Sequence, residues 1–186
     1  MHRVNLLVAE TDEDLARRAR RGDRGAERTL VRRLYPGVRT LAARLLRGGS
    51  GAADATQEAF LRAFSRLDQF DGNHRFSAWV FKILVNLVRD EFRRGARVAP
   101  GEIAADDRPA PGPLPLDAAI REEDFGRVRS EVDRLPDEMR TALLLHFQEG
   151  LSGREIAYAL GITYDAARLK ISRAVAKLRQ RLGEAP

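Results

Sequence analysis

The chain contains no cysteine. Disulfides, thiolate metal sites and cysteine nucleophiles are therefore excluded, and nothing points to secretion. Histidine is scarce: His2, His74 and His146 are scattered, which argues against a histidine metal cluster. Aromatic residues make up only 6%, so an aliphatic core is expected. No apolar run approaches the ~20 residues that span a bilayer. The N-terminus, MHRVNLLVAETDED, has too short an apolar stretch for a signal peptide and turns acidic at once. The expected compartment is the cytoplasm, without membrane insertion. Phosphate-loop, dinucleotide-fold, nucleophile-elbow and zinc-protease motifs are missing. Neighbouring carboxylates occur only as surface-type pairs. No catalytic residue, cofactor or metal is expected.

Charge is what the sequence does have. The 186 residues hold 33 Lys+Arg and 27 Asp+Glu, a net charge of +6, with a pI near 10.4. Arginine supplies 30 of the basic groups and lysine three. Arginine suits bidentate phosphate contacts, but a GC-rich genome gives the same bias, so composition alone names no partner. With 44% hydrophobic and 32% charged residues, the chain has the make-up of one ordinary or two small globular domains.

The division falls at 95–118, which carries Pro100, Pro109, Pro111, Pro113 and Pro115, five of the eight prolines. Proline lacks the donor that a helix interior needs and favours extended chain. Apolar periodicity also stops here. The segment reads as a flexible linker between a unit at 10–94 and a unit at 119–183. Both look all-α, and neither shows strand alternation.

In the first unit, Thr11 or Asp12 can cap a helix carrying Leu15 and Ala19. Leu30, Leu34, Val38, Leu41 and Leu45 form one helical face. Pro36 falls inside that run and is expected to kink it or mark a junction. A third helix should start near Ala52, with Phe60, Leu61, Phe64 and Leu67 on its buried side. A polar loop, DQFDGNHR at 68–75, precedes a fourth helix from Ser77 to about Arg94, whose apolar set runs from Trp79 to Phe92. In the second unit, Phe125, Val128, Val132 and Leu135 mark one helix, and Pro136 can start the next. Ser152 and Glu155 form a capping-box pattern. A short helix, a turn at Gly161, a Thr163 cap and a long basic helix follow. That is the spacing of a helix-turn-helix.

Three constellations stand out. The last helix offers Asp165, Arg168, Leu169, Ser172 and Arg173 opposite its apolar positions. Residues 163–182 hold six basic groups and one acidic, net +5. Arginine at a helix N-terminus can read guanine edges or clamp phosphate in a major groove. A solvated basic face is the plainer reading, and the helix-turn-helix spacing favours DNA. Along 77–94, Lys82, Asn86, Arg89 and Arg93 could track a phosphate backbone, and Asn86 fits a base edge and a buried backbone contact equally. The preceding loop of Phe70, Asp71, Gly72, Asn73 and His74 could hold an unstacked base or serve only as a turn. Asp54, Gln57 and Glu58 share one helix face with the opposite charge, which suits a protein partner or a helix dipole.

The stretches DATQEAFLRAF, FSAWVFKILVNLVRDEFRR and LPDEMRTALLLHFQEGLSGREIAYALGIT occur in that order. Together they resemble the extracytoplasmic-function sigma factors of bacterial RNA polymerase, members of the sigma-70 family. The resemblance implies a minimal two-domain sigma factor, with region 2 at 12–94 and region 4 at 127–182. It implies binding to core RNA polymerase through the β′ coiled coil and β flap, recognition of −35 and −10 promoter DNA, duplex opening, and an anti-sigma factor as a partner. Asp54, Gln57 and Glu58 match the polymerase-binding helix. Phe70 to Phe76 match the loop that captures a flipped −10 base, and Asn86 matches an Asn on the following helix. Arg168, Leu169, Ser172 and Arg173 match the −35 face. The family's Gly-Thr-Val-Lys start to that helix is here Asp165-Ala166-Ala167-Arg168. The phosphate-contacting hydroxyl is thus absent at Ala166, and Asp165 would repel phosphate unless it accepts from a cytosine amino group. Two other readings compete on the residues alone. One is a stand-alone helix-turn-helix regulator, and the other is a metal-dependent nucleic-acid enzyme.

Overall fold

The structure, a computed structural model, describes residues 10–47, 51–95 and 122–183. Most of the 95–118 linker lies outside the described residues. Within them the fold is all-α. The first unit consists of α1 (Asp12–Arg20), α2 (Arg24–Leu45), α3 (Ala52–Ser65), a 3-10 turn (Leu67–Gln69) and α4 (Phe76–Gly95). The second consists of α5 (Glu122–Asp133), α6 (Asp137–Phe147), α7 (Gly153–Leu160) and α8 (Tyr164–Gly183).

Local chemistry sets the boundaries. Thr11 caps α1 in a capping box with Asp14, and Asp23 caps α2 by accepting from the amides of Gly25 and Ala26. The first turn of α4 is tied to α1, since the Phe76 amide donates to Glu13 Oε1 at 3.0 Å. In α7, Ser152 and Glu155 form the expected capping box, and Gly161 ends the helix at φ +66°. A side chain at that left-handed position would be strained, which is why the turn into α8 needs glycine. The Ala166 amide then donates to Thr163 Oγ1 at 3.3 Å, opening α8.

The core is aliphatic, as composition implies. Leu15, Leu30, Val38, Leu41, Ala59, Phe81 and Leu84 fill the first unit, and Leu135, Leu145, Leu151, Ile156 and Leu160 fill the second. The two form one continuous buried cluster, with α7 packed on α4 and α6 on α2. Polar contacts cross this junction. Arg140 is fully buried and donates to the Leu45 carbonyl at 3.4 Å and to Asp137 at 2.9 Å. Arg89 donates to the Leu160 carbonyl at 2.9 Å, and Arg75 lies 3.7 Å from Glu155.

Two expectations change and one narrows. α2 runs through Pro36 as one helix, so Pro36 marks no junction. Pro36 and Arg32 are both exposed, so water can satisfy the carbonyl that proline leaves unpaired. Leu61 is 58% exposed and Phe92 47% exposed. The buried stripe of α3 runs through Ala52, Ala55, Thr56, Ala59, Phe60 and Ala63, and Leu61 is rotated ~100° away from Phe60. Phe92 lies one turn beyond Val88, where the core has ended.

Candidate nucleic-acid interface

On α8, Ala167 and Ala174 are buried, which fixes the helix's rotation. Asp165, Arg168, Leu169, Ser172 and Arg173 are consequently all exposed on its free side, near the N-terminus. Leu169 is 48% exposed. Lys170 is turned back, paired with Glu138 of α6, and the Lys170 ammonium beside it holds the Glu138 carboxyl below its ordinary range. Arg168 and Arg173 make no salt bridge among the described residues. The free face thus presents two long donors, a hydroxyl, a carboxylate and an apolar side chain at the helix end whose dipole favours anions.

The loop before α4 is organised by Asp71. Its Oδ1 accepts from the Asn73 amide at 2.9 Å and its Oδ2 from Asn73 Nδ2 at 2.7 Å. These bonds from Asn73 hold the Asp71 carboxyl below its ordinary range. Asp71, Gly72 and Asn73 are exposed, but Phe70 is not: it is 7% exposed, with its ring 5.3 Å from Phe76 and 5.4 Å from Trp79. As placed, Phe70 is a wall of the core rather than a free stacking platform. Beside it lies a cleft of about 310 Å³ between α1 and the loop, lined by Glu13, Arg17, Arg20, Leu67, Phe70 and Asp71. Asn86 is exposed on α4, so the buried alternative for this residue does not apply.

His74 and Lys82 meet a residue that the sequence did not single out. Tyr158 of α7 stacks on His74, with ring centroids 3.9 Å apart, and Lys82 Nζ sits 4.1 Å from the centroid of the same ring. Burial, with Asp71 nearby, pushes the Tyr158 hydroxyl above its ordinary pKa. The place of Tyr158 in a short helix gives no signal of this role, because the contact depends on how the two units dock.

On α3, Asp54 and Gln57 are exposed, Glu58 is half-buried, and Leu61 adds an apolar side chain to the same face. Glu58 pairs with Arg62 at 2.6 Å. The second unit carries an apolar groove of about 480 Å³ lined by Val128, Leu144, Phe147, Val175, Leu178 and Leu182. No cluster of metal-ligating side chains occurs among the described residues.

Residues 30–98 match sigma-70 region 2, and residues 125–178 match sigma-70 region 4. The ECF RNA polymerase sigma factor SigW of Bacillus subtilis is 32% identical over 89% of this chain and 94% of its own. The chain belongs to the sigma-70 family. The RNA polymerase sigma-H factor of Pseudomonas aeruginosa is 30% identical over 91% of this sigma factor and 92% of its own length. The structure of CnrH in complex with the cytosolic domain of CnrY superposes with a TM-score of 0.67 at 29% identity, covering 94% of this chain and 99% of that one. The sigma factor RpoE from Bartonella quintana, solved with the anti-sigma factor NepR, shares the fold at a TM-score of 0.66 and 22% identity, covering 86% and 98%. This sigma factor is therefore a transcription initiation factor of the extracytoplasmic-function type, with a DNA-binding helix-turn-helix at α7 and α8. α1 precedes the region 2 match yet packs on α2 and α4 as part of the same unit.

Proposed function

We propose that the first unit (10–94) engages core RNA polymerase and the −10 element, and the second (119–183) reads the −35 element, with 95–118 as the tether. The observation that carries this is the free N-terminal face of α8. Arg168, Leu169, Ser172 and Arg173 are exposed together beside a helix-turn-helix whose other faces are packed. Asp165 accepts from a cytosine amino group and Arg168 donates to a base edge, while Arg173, further along, meets phosphate. The face of Asp54, Gln57, Glu58 and Leu61 docks on the polymerase β′ coiled coil, with Leu61 as the apolar contact inside a polar rim. The apolar groove of the second unit takes the β flap.

Asp71, Gly72, Asn73 and Asn86 contact the unpaired −10 strand, and His74 and Lys82 join them once uncovered. In the arrangement described, Tyr158 occupies both, so strand capture requires α7 to leave α4. An anti-sigma factor that grips both units would hold them together, and the similar sigma factor RpoE is solved with the anti-sigma factor NepR. The chain catalyses no reaction itself and acts in the cytoplasm, where the polymerase is. Run-off transcription tests the whole reading. The purified chain added to core RNA polymerase should initiate at a subset of a promoter library whose members share −35 and −10 elements. Specific promoter binding without core, and no transcript with it, would instead indicate a stand-alone regulator.

A further inference from the structure

Tyr164 opens α8 and is 46% exposed. Its ring lies across the first turn of α7. A Cβ built on Gly153 would come within 2.9 Å of Tyr164 Cε2 and 3.8 Å of Arg168 Cγ. A side chain at 153 would push the ring from this seat, whereas the arginine stem lies at ordinary contact distance. One helical turn on, the guanidinium carbon of Arg168 stands 5.7 Å from the ring centroid. Arg168 has no salt bridge among the described residues and so is not held by Asp165. An unconstrained arginine samples many rotamers, and a bidentate contact to a base edge needs its plane in one orientation. Stacking on an aromatic face restricts the plane and leaves the N–H edges free to donate.

We propose that Tyr164 is a positioning residue for promoter recognition: its ring, seated on Gly153, orients the Arg168 guanidinium and so sets the base preference at one position of the −35 element. This rests on the reading of Arg168 as a base contact. Tyr164 itself need not touch DNA, and its hydroxyl is dispensable in this role.

The test uses the full chain with core RNA polymerase on a promoter pool randomised across the −35 element, with transcripts sequenced. Arg168→Ala should flatten the preference at one base pair. Tyr164→Ala should relax that same base pair by about two- to fivefold, the range of an exposed cation–π contact, and leave the others unchanged. Tyr164→Phe should keep the wild-type preference. The double variant should be no flatter there than Arg168→Ala alone. A uniform loss of transcription in Tyr164→Ala with every preference intact would make Tyr164 merely structural and overturn the proposal. So would a change at a different base pair, or loss of preference in Tyr164→Phe. If Arg168→Ala leaves every preference intact, the base-reading assignment of Arg168 fails first, and the positioning role falls with it.

Discussion

Replacing Tyr158 with alanine should open the molecule. Tyr158 contributes an aromatic stack on His74 and a cation–π contact with Lys82, bridging α7 and α4. Such contacts are worth about 0.5–1.5 kcal/mol and about 0.5–2 kcal/mol respectively. Removing both weakens the docked arrangement by about 1–3 kcal/mol, or about 5–150-fold in the docked-to-separated equilibrium. The Arg89 bond to the Leu160 carbonyl and the Arg75–Glu155 pair remain, so separation should be partial. Because the natural chain has no cysteine, a dye pair can be placed uniquely, for example at Arg66→Cys and Lys177→Cys, both exposed. Energy transfer should fall in Tyr158→Ala relative to wild type. Binding of a single-stranded −10 oligonucleotide by the holoenzyme should not weaken, because on the proposed reading polymerase already holds the units apart. Binding by the free chain should tighten, since a smaller share of molecules must first open. Unchanged energy transfer together with unchanged strand affinity in the free chain would refute the view that Tyr158 holds the units together.

Three further outcomes follow from individual side chains. Glu149 sits against Gly37 of α2, and burial pushes its pKa from 4.5 up to about 7, with only partial relief from Gln148 and Arg75. A carboxyl with a raised folded pKa stabilises the fold fully below pH 4.5 and loses that contribution as pH rises to about 7, a change of about 3 kcal/mol. Denaturant midpoints should therefore fall between pH 5 and 7 in the wild type and less so in Glu149→Gln; identical slopes would rule the coupling out. Asp54→Lys with Glu58→Lys should weaken core polymerase binding in a pull-down while leaving the helical circular dichroism signal intact. Asn86→Ala should reduce permanganate reactivity of the melted −10 segment more than it reduces initial promoter binding, and a normal footprint would make Asn86 idle.

Much of the fold could be read locally because its punctuation is local. Thr11, Ser152 with Glu155, and Gly161 each stop or start a helix through bonds within a few residues. The α8 face was equally legible, since buried alanines at 167 and 174 leave one side for the charged set. Errors arose where periodicity was too coarse. Leu61 is apolar but off the α3 stripe, and Phe92 is on the stripe but past the core. Phe70 sits in a polar stretch that gives no hint of an inward ring, yet the edge-on contact with Phe76 draws it in. Pro36 marks no junction in α2, because the Arg32 carbonyl that it leaves unpaired faces water. Tyr158 was illegible for another reason: its partners are 84 and 76 positions earlier, at His74 and Lys82, and docking of two units leaves no period in either.

The same contacts give the docked arrangement a functional logic. A surface meant for single-stranded DNA must carry cations and planar groups, and exposed sets of that kind bind nucleic acid without discrimination. Here Tyr158 imitates a stacked base: it lies flat on His74 and offers its face to Lys82. The covering residue belongs to α7, the helix that also braces the proposed −35 reader through Gly153 and Tyr164. Holding α7 where it can meet upstream DNA would therefore withdraw Tyr158 from α4 at the same time. A free chain would keep the proposed strand-binding face occupied until polymerase spreads the two units. The coupling needs no contact beyond those already present, because one short helix serves both surfaces.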